Sequence, residues 1–114
     1  MNRVINIASD FTRYPGPRYS ADGPFSGEEF RNSKLVPALE DAKASGGMVT
    51  VILDGVAGYG SSFLEESFGG LLRVGFTPAD VKKHLRVVAL TSRFQHHSRN
   101  VDRYIAEASL TAAA

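Results

Sequence analysis

A carboxylate, several glycines and two serines stand close together near the middle of this chain. In order they are Asp54, Gly55, Gly58, Gly60, Ser61 and Ser62. A glycine-rich turn can cradle an anion with its amides, and a serine hydroxyl can act as a nucleophile or accept a phosphate. Glycine also lets a ligand or another segment approach the main chain closely. The residues that could do chemistry therefore fall within one short stretch.

Two patterns around this stretch predict how it is positioned. Met48 to Leu53 are six consecutive apolar or β-branched residues, which predicts a central strand covered on both faces. Ser62 and Glu65 fit the Ser-x-x-Glu capping box, which predicts that a helix starts there. The stretch then lies at the carboxyl end of a strand, where sites usually form in α/β sheets. The residues predicted to contact a partner or ligand are Asp54, Gly55, Gly58, Tyr59, Gly60, Phe63, Glu65 and Glu66.

Length and composition favour a single domain over residues 1–114. Without cysteine, the chain has neither disulfides nor thiolate metal ligands. It shows no signal peptide and no apolar run of membrane-spanning length, so we expect a cytoplasmic protein with no membrane partner. A net charge of +1 argues against a nucleic-acid partner. Between Lys82 and Arg103 six basic residues face one acid, which indicates solvated faces or, alternatively, an anion or partner surface.

The amino-terminal quarter predicts a strand and a turn. Arg3 to Ile7 favour a strand, and Tyr14 to Tyr19 carry a Pro-Gly turn signal. We therefore predict a hairpin over residues 1–24, at a sheet edge, with a return strand near Arg18 to Ala21. The aromatic residues beside this turn pack against the sheet edge or, alternatively, mark a recognition hairpin formed by Tyr14, Arg18 and Tyr19.

The rest of the chain alternates helices and strands. Ser26 and Glu29 form a second capping box, and Pro37 predicts that the helix they open is kinked or split before it ends near Ala44. Thr77 and Pro78 predict a helix reaching His84, Arg86 to Thr91 a second buried strand parallel to the first, and Ser98 a last helix with a frayed tail at 110–114. The expected fold class is α/β, with a mixed sheet of about four strands and about four helices.

Gly69 and Gly70 interrupt the helix predicted from Ser62. Each is expected to cost about 1 kcal/mol relative to alanine in a helix. Two explanations stay open at this point: close backbone packing of the helix against the sheet, or the end of the helix at these glycines.

Other chemistries fit the chain less well. A nucleophile elbow would need glycine two residues after the serine, but Leu64 follows Ser62 and Phe63 follows Ser61 at that distance. The loop lacks the lysine of a Walker motif and the third glycine of a dinucleotide fingerprint. Its amides can still hold a nucleotide or small anion. His96 and His97 are adjacent and have no cysteine to assist them, so exposed loop histidines are expected, with no metal site.

Two motifs in the chain resemble those of a bacterial STAS-like family of unknown function. They are Ser26-Gly27-Glu28-Glu29-Phe30-Arg31 and Ser61-Ser62-Phe63-Leu64-Glu65-Glu66-Ser67-Phe68-Gly69, the second after a strand that ends in Asp54. The resemblance implies a STAS-like fold, typified by anti-sigma factor antagonists. In those proteins a histidine-kinase-like ATPase phosphorylates a serine at the start of the helix after a central strand. Ser62, or else Ser61, holds that place here.

The match departs from the antagonists in one respect. Their Asp-Ser-Ser-Gly run is contiguous, whereas here six residues separate Asp54 from Ser61 and Phe63 replaces the last glycine. A phosphate on Ser62 would favour the helix start but is expected to be repelled by Glu65 and Glu66. Ser62 is therefore either a phosphorylation site or only a helix cap.

These observations predict a non-enzymatic regulatory module that binds a protein partner and carries no cofactor. The alternative is a module that binds a small ligand or nucleotide at the glycine-rich loop and the start of the following helix.

Overall fold

A three-stranded parallel sheet organises the described part of the chain. The computed structural model describes residues 2–112. Within them the strands are β1 (Arg3–Asn6), β2 (Val49–Ile52) and β3 (Leu85–Val88), in the order β1-β2-β3. Ile5 pairs with Val51, and Val51 with Val87. The predicted central strand is confirmed over Val49–Ile52, and β3 is parallel to it as predicted. The prediction that this second strand is buried is wrong, because β3 lies at the sheet edge and each of its residues is half-buried or exposed; it begins one residue and ends three residues earlier than predicted.

Five helices accompany the sheet in residues 2–112. They are α1 (Ile7–Asp10), α2 (27–45), α3 (61–73), α4 (Pro78–His84) and α5 (Gln95–Ala112), with short 3₁₀ turns at Ser20–Asp22 and Ser92–Phe94. Helix α2 consists of Gly27–Phe30, a π turn at Arg31–Leu35 and Val36–Ser45. Helix α3 likewise consists of Ser61–Leu64, a π turn at Glu65–Gly69 and Gly70–Arg73.

The start and end signals of the helices agree with the sequence in most cases. Ser26 caps α2 by accepting a hydrogen bond from the amide of Glu29, and Gly46 ends this helix with φ of 73°. Thr77 and Asp80 form the capping box of α4. Pro37 does not split α2, which is continuous over residues 27–45. The π turn ends two residues before it, so the irregular hydrogen bonding that proline requires is absorbed there.

Only one face of the sheet is covered, which corrects the prediction for β2. Ile5, Val49 and Val51 point to the covered face and are fully buried. On the other face Thr50 and Ile52 are half-buried, and Val4 is 60% exposed. The strand order explains this. When parallel strands follow one another in a single direction across a sheet, right-handed crossovers place both connecting helices on the same side.

The predicted hairpin is absent, so the sheet is neither mixed nor four-stranded within residues 2–112. Between α1 and α2 the chain is an irregular loop, closed by hydrogen bonds from the amide of Gly16 to Phe25 and from the amide of Gly27 to Pro17. Pro15 and Pro17 have no amide hydrogens, so this segment cannot form a strand ladder. The tyrosines at 14 and 19 are exposed and do not pack on the sheet edge.

The core lies between the sheet and the helices. Apolar side chains of α2, α3 and α5 supply it, including Leu35, Leu39, Phe68, Leu71 and Val101. The last helix begins at Gln95, three residues before the predicted start, and continues through Ala112. The tail predicted to fray is therefore helical over 110–112, and residues 113–114 lie outside the described residues.

Candidate functional site

Asp54 fastens the loop after β2 to the segment that follows β3. Its carboxylate accepts hydrogen bonds from the amide of Leu90 at 2.7 Å and from the amide and hydroxyl of Thr91 at 2.9 and 2.6 Å. Burial raises the pKa of Asp54, but the hydrogen bonds from Thr91 and Leu90 outweigh it, and the net pKa lies below the usual value. Both oxygens are therefore occupied by the protein itself.

Of the three loop glycines, one is demanded by backbone geometry. Gly55 has φ of 93°, and a Cβ there would lie 3.1 Å from that of Ala8. A Cβ added at Gly58 or Gly60 would meet no atom within 4 Å in the described part of the chain, and neither glycine has a positive φ. The loop is thus a single tight turn at Gly55 followed by an exposed run.

Tyr59 and Phe63 hold the loop against the protein core. The Tyr59 hydroxyl donates to the carbonyl of Leu53 at 2.7 Å, and its ring lies 5.8 Å from that of Phe63 and 5.1 Å from that of His97. Burial, with a smaller contribution from the charge of Asp54, raises the pKa of Tyr59 far above its usual value. Phe63 is fully buried. Both side chains therefore shape the loop from the inside.

The two serines lie at the exposed start of α3, and neither caps it. The helix begins at Ser61 after Gly60, which makes no side-chain cap, so the capping box predicted at Ser62 is wrong. The reason is that the Glu65 carboxylate, which the box requires, is held by arginines. Ser61 and Ser62 are exposed, and in residues 2–112 neither hydroxyl forms a hydrogen bond.

Three arginines neutralise the two glutamates that follow. Arg73 binds Glu65 through two nitrogens at 2.8 and 2.9 Å, and Arg18 binds it at 2.5 Å. The hydrogen bonds from Arg73 are the main reason that the pKa of Glu65 is lowered; burial opposes them and Arg18 adds to them. Glu66 contacts the same two arginines at 3.2 Å each and forms a buried ion pair with Arg31. With three guanidinium groups and two carboxylates, this ion-pair cluster has a net charge of +1.

The cluster joins the two sequence motifs. Arg31 lies in the π turn of α2 and Glu66 in that of α3, and the hydroxyl of Ser67 donates to the carbonyl of Gly27 at 3.3 Å. Sequence reasoning missed the role of Arg31, although its position at the end of the first motif was a usable signal. The two motifs therefore describe one helix-to-helix contact.

Close packing explains the glycines of this contact. A Cβ on Gly27 would lie 2.5 Å from the carbonyl oxygen of Phe63, and one on Gly70 would lie 2.5 Å from a nitrogen of Arg31. Helix α3 continues through Gly69 and Gly70 to Arg73. Of the two explanations left open by the sequence, the structure therefore supports close packing, against the ion-pair cluster and α5 rather than the sheet.

The remaining candidate residues form a histidine pair and an Arg18–Tyr19 contact, in which the guanidinium lies 6.0 Å from the centre of the tyrosine ring. The rings of His96 and His97 are 3.9 Å apart, and burial, followed by the charge of His96, lowers the pKa of His97. Among residues 2–112 no group of three potential ligands could hold a metal ion. Arg18 turns to the glutamates while Tyr14 and Tyr19 face outward. No helix in the described part of the chain is long and apolar enough to span a membrane.

The geometry defines an α/β domain with a parallel sheet, a fastened loop after the central strand and an exposed helix start. Residues 26–93, more than half of the chain, match the family described as a STAS-like domain of unknown function (DUF4325). The chain belongs to this family, which confirms the resemblance seen in its two motifs. Comparison with curated proteins and with solved structures found no match.

Proposed function

We propose that this chain is a non-enzymatic, cytoplasmic regulatory module that binds a protein partner through the surface around residues 54–66. The observation that carries the proposal is the pair of exposed hydroxyls at Ser61 and Ser62. They lie in the first turn of a 13-residue helix at the carboxyl end of the central strand, and no contact within residues 2–112 uses them. A side chain with no role in folding is free to be modified.

The charges around α3 favour a phosphate on Ser62. Such a phosphate adds a charge of roughly −1.5 to −2 and is stabilised by the free amides of a helix start. From the sequence, Glu65 and Glu66 were expected to repel it. In the structure three arginines more than neutralise both glutamates, and the Arg18 side chain keeps 31% exposure. Phosphorylation would therefore change the charge of this surface without unfolding the helix.

The class of partner comes from the wider STAS fold. A histidine-kinase-like ATPase that phosphorylates the antagonist serine is the partner that the resemblance implies for Ser62. The six residues from Gly55 to Gly60 lengthen the loop relative to the contiguous antagonist motif. We propose that the exposed part of this loop, including Gly58, contributes to partner choice.

The test is affinity purification of the full chain from its own cells, with mass spectrometry of the bound proteins and of the peptide that contains both serines. Wild type is compared with Ser62→Ala and with Ser9→Ala, because Ser9 is also an exposed serine in the first turn of a helix. We expect phosphate on Ser62 and a bound ATPase whose recovery changes in Ser62→Ala alone. An unmodified peptide with no specific partner, across several growth conditions, would contradict the proposal.

The second candidate function is binding of a small ligand or nucleotide at the glycine-rich loop. One observation favours it. A cavity of about 300 Å³ lies beside this loop, lined in part by Gly55, Val56 and Ala57. Its other walls come from Arg13, Tyr14, Arg93 and Phe94, not from the start of α3. We therefore propose that such a ligand binds beside Gly55, at the opposite end of this loop from the two serines.

A further inference from the structure

The cavity beside the loop is built from three separate segments. Arg13 and Tyr14 come from the segment after α1, residues 55–57 from the loop after β2, and Arg93 and Phe94 from the segment after β3. All three segments follow strands of the parallel sheet, so they meet at its carboxyl edge. This edge is where ligands bind in open α/β sheets. A volume of about 300 Å³ is at the lower limit for small-molecule pockets.

The charge of this cavity is positive. Arg13 and Arg93 are exposed, and within residues 2–112 neither guanidinium forms an ion pair or a side-chain hydrogen bond. Within residues 2–112 no carboxylate lines the cavity. The acid next to it in sequence, Asp54, has both oxygens occupied by Leu90 and Thr91. The Arg93 guanidinium lies 5.5 Å from the centre of the Phe94 ring, and neither arginine has a carboxylate partner in residues 2–112. Guanidinium groups without a carboxylate partner are donors that phosphate oxygens prefer.

The walls that carry the arginines are held in place. The amide of Ala57 donates to the carbonyl of Arg13 at 2.8 Å, which ties the first wall to the second. The amide of Tyr14 donates to the hydroxyl of Thr12 at 3.0 Å, while Val56 and Phe94 are buried in the core. A site whose walls are fixed before binding loses less entropy when a ligand arrives.

The rim of the cavity carries a flat apolar surface. The side chain of Tyr14 is 72% exposed and lines the cavity beside Arg13. An exposed tyrosine ring offers a face on which another planar ring can stack.

We propose that this cavity binds a phosphomonoester attached to a planar ring, the chemistry of a nucleoside monophosphate. Arg13 and Arg93 bind the phosphate, and the ring of Tyr14 stacks on the planar group. The inference builds on the second candidate function and does not involve Ser62, so partner switching can fail while this site is real, and the reverse.

The test is isothermal titration calorimetry of the full chain with AMP, inorganic phosphate and adenosine, at low salt. AMP is expected to bind best, phosphate more weakly and adenosine least. Losing one charge-assisted contact is expected to weaken AMP binding roughly tenfold to hundredfold in Arg13→Gln and in Arg93→Gln. Tyr14→Ala is expected to weaken AMP binding while leaving phosphate binding unchanged, which separates the ring contact from the phosphate contact.

Two control variants test whether the loss of AMP binding is specific to the cavity residues. Arg99→Gln removes an exposed arginine that does not line this cavity, and Ser62→Ala removes the proposed switch hydroxyl; both should leave AMP affinity unchanged. Amide shifts on adding AMP should centre on residues 13–14 and 55–57. Absence of binding at millimolar AMP and phosphate, or an equal loss in Arg99→Gln, would overturn the proposal. Urea titration of each variant establishes that it is folded.

Discussion

Two groups of arginines in this chain differ in what faces them. In the ion-pair cluster, Arg18, Arg31 and Arg73 each contact a glutamate, and the side chains of Arg31 and Glu66 are only 7% and 9% exposed. At the cavity, Arg13 and Arg93 contact no carboxylate in residues 2–112. Both groups lie near the loop from β2 to α3, but the ion-pair cluster holds α2 and α3 together. The surroundings of an arginine, more than its position in a motif, therefore decide whether its charge is available to a ligand.

The largest expected effect comes from breaking the buried pair. Arg31→Ala leaves the Glu66 carboxylate buried with fewer partners, and losing one member of such a pair typically costs about 3–5 kcal/mol. We expect a loss of that size in the free energy of unfolding, measured by urea denaturation. Replacing the pair together, as Arg31→Met with Glu66→Leu, should recover much of it. A change below about 1 kcal/mol in Arg31→Ala would show that the cluster is not a main support of the helix contact.

Adding a methyl group at the same contact tests its close packing. In Gly27→Ala the new Cβ meets the Phe63 carbonyl, 2.5 Å away, so the helices must move apart. Overpacking of this kind costs about 1–3 kcal/mol. Gly58→Ala is the matched control, because its Cβ meets no atom within 4 Å and its φ is not positive. It should be neutral or stabilise the chain by up to about 1 kcal/mol. Equal effects of the two variants would contradict this view of the contact.

The Asp54 carboxylate, in the loop beside the cavity, is expected to make the free energy of unfolding depend on pH. Its pKa in the folded chain lies below the ordinary value of 3.8, so its contribution to stability is complete above that pH and is lost as the pH falls through the folded value. Asp54→Asn should cost about 1–2 kcal/mol at neutral pH through weakened bonds to Leu90 and Thr91. The gap between variant and wild type should close below the ordinary pKa. Unfolding curves at several pH values measure it, and a constant gap would contradict the assignment.

The smallest expected effects belong to the cavity arginines. Arg13→Gln and Arg93→Gln remove exposed charges without ion pairs, so each should change the free energy of unfolding by less than about 0.5 kcal/mol. This small change, against the loss of about 3–5 kcal/mol expected for Arg31→Ala, distinguishes the cavity arginines from the ion-pair cluster. A loss above about 1 kcal/mol in either variant would mean that the cavity arginines, too, are structural.

Local signals were most reliable where neighbouring residues alone decide the outcome. The Ser26 cap of α2 formed as predicted, and the helix that starts after Thr77 reaches His84 as predicted, since each signal depends on atoms within a few residues. The Ser62 box failed because Arg18, distant in sequence, and Arg73, two turns along the helix, bind the Glu65 carboxylate that it needs. The hairpin failed because Pro15 and Pro17 lack the amide hydrogens that a strand ladder uses, and a turn signal alone does not supply them.

Sequence patterns predicted the central position of β2, the alternation of helices and strands after Ser26 and the resemblance to the STAS-like family, which the family comparison confirmed. They did not predict α1, and the return strand that they predicted before Ser26 is wrong. The tertiary structure added that every described strand is parallel, that one sheet face is partly exposed and that the two family motifs meet at a buried ion pair. It also showed which arginines have no carboxylate partner in residues 2–112. The physical reason is range. Caps, turns and stripes depend on atoms a few residues apart, whereas strand order and charge pairing depend on residues such as Arg31 and Glu66, which only the finished fold brings together.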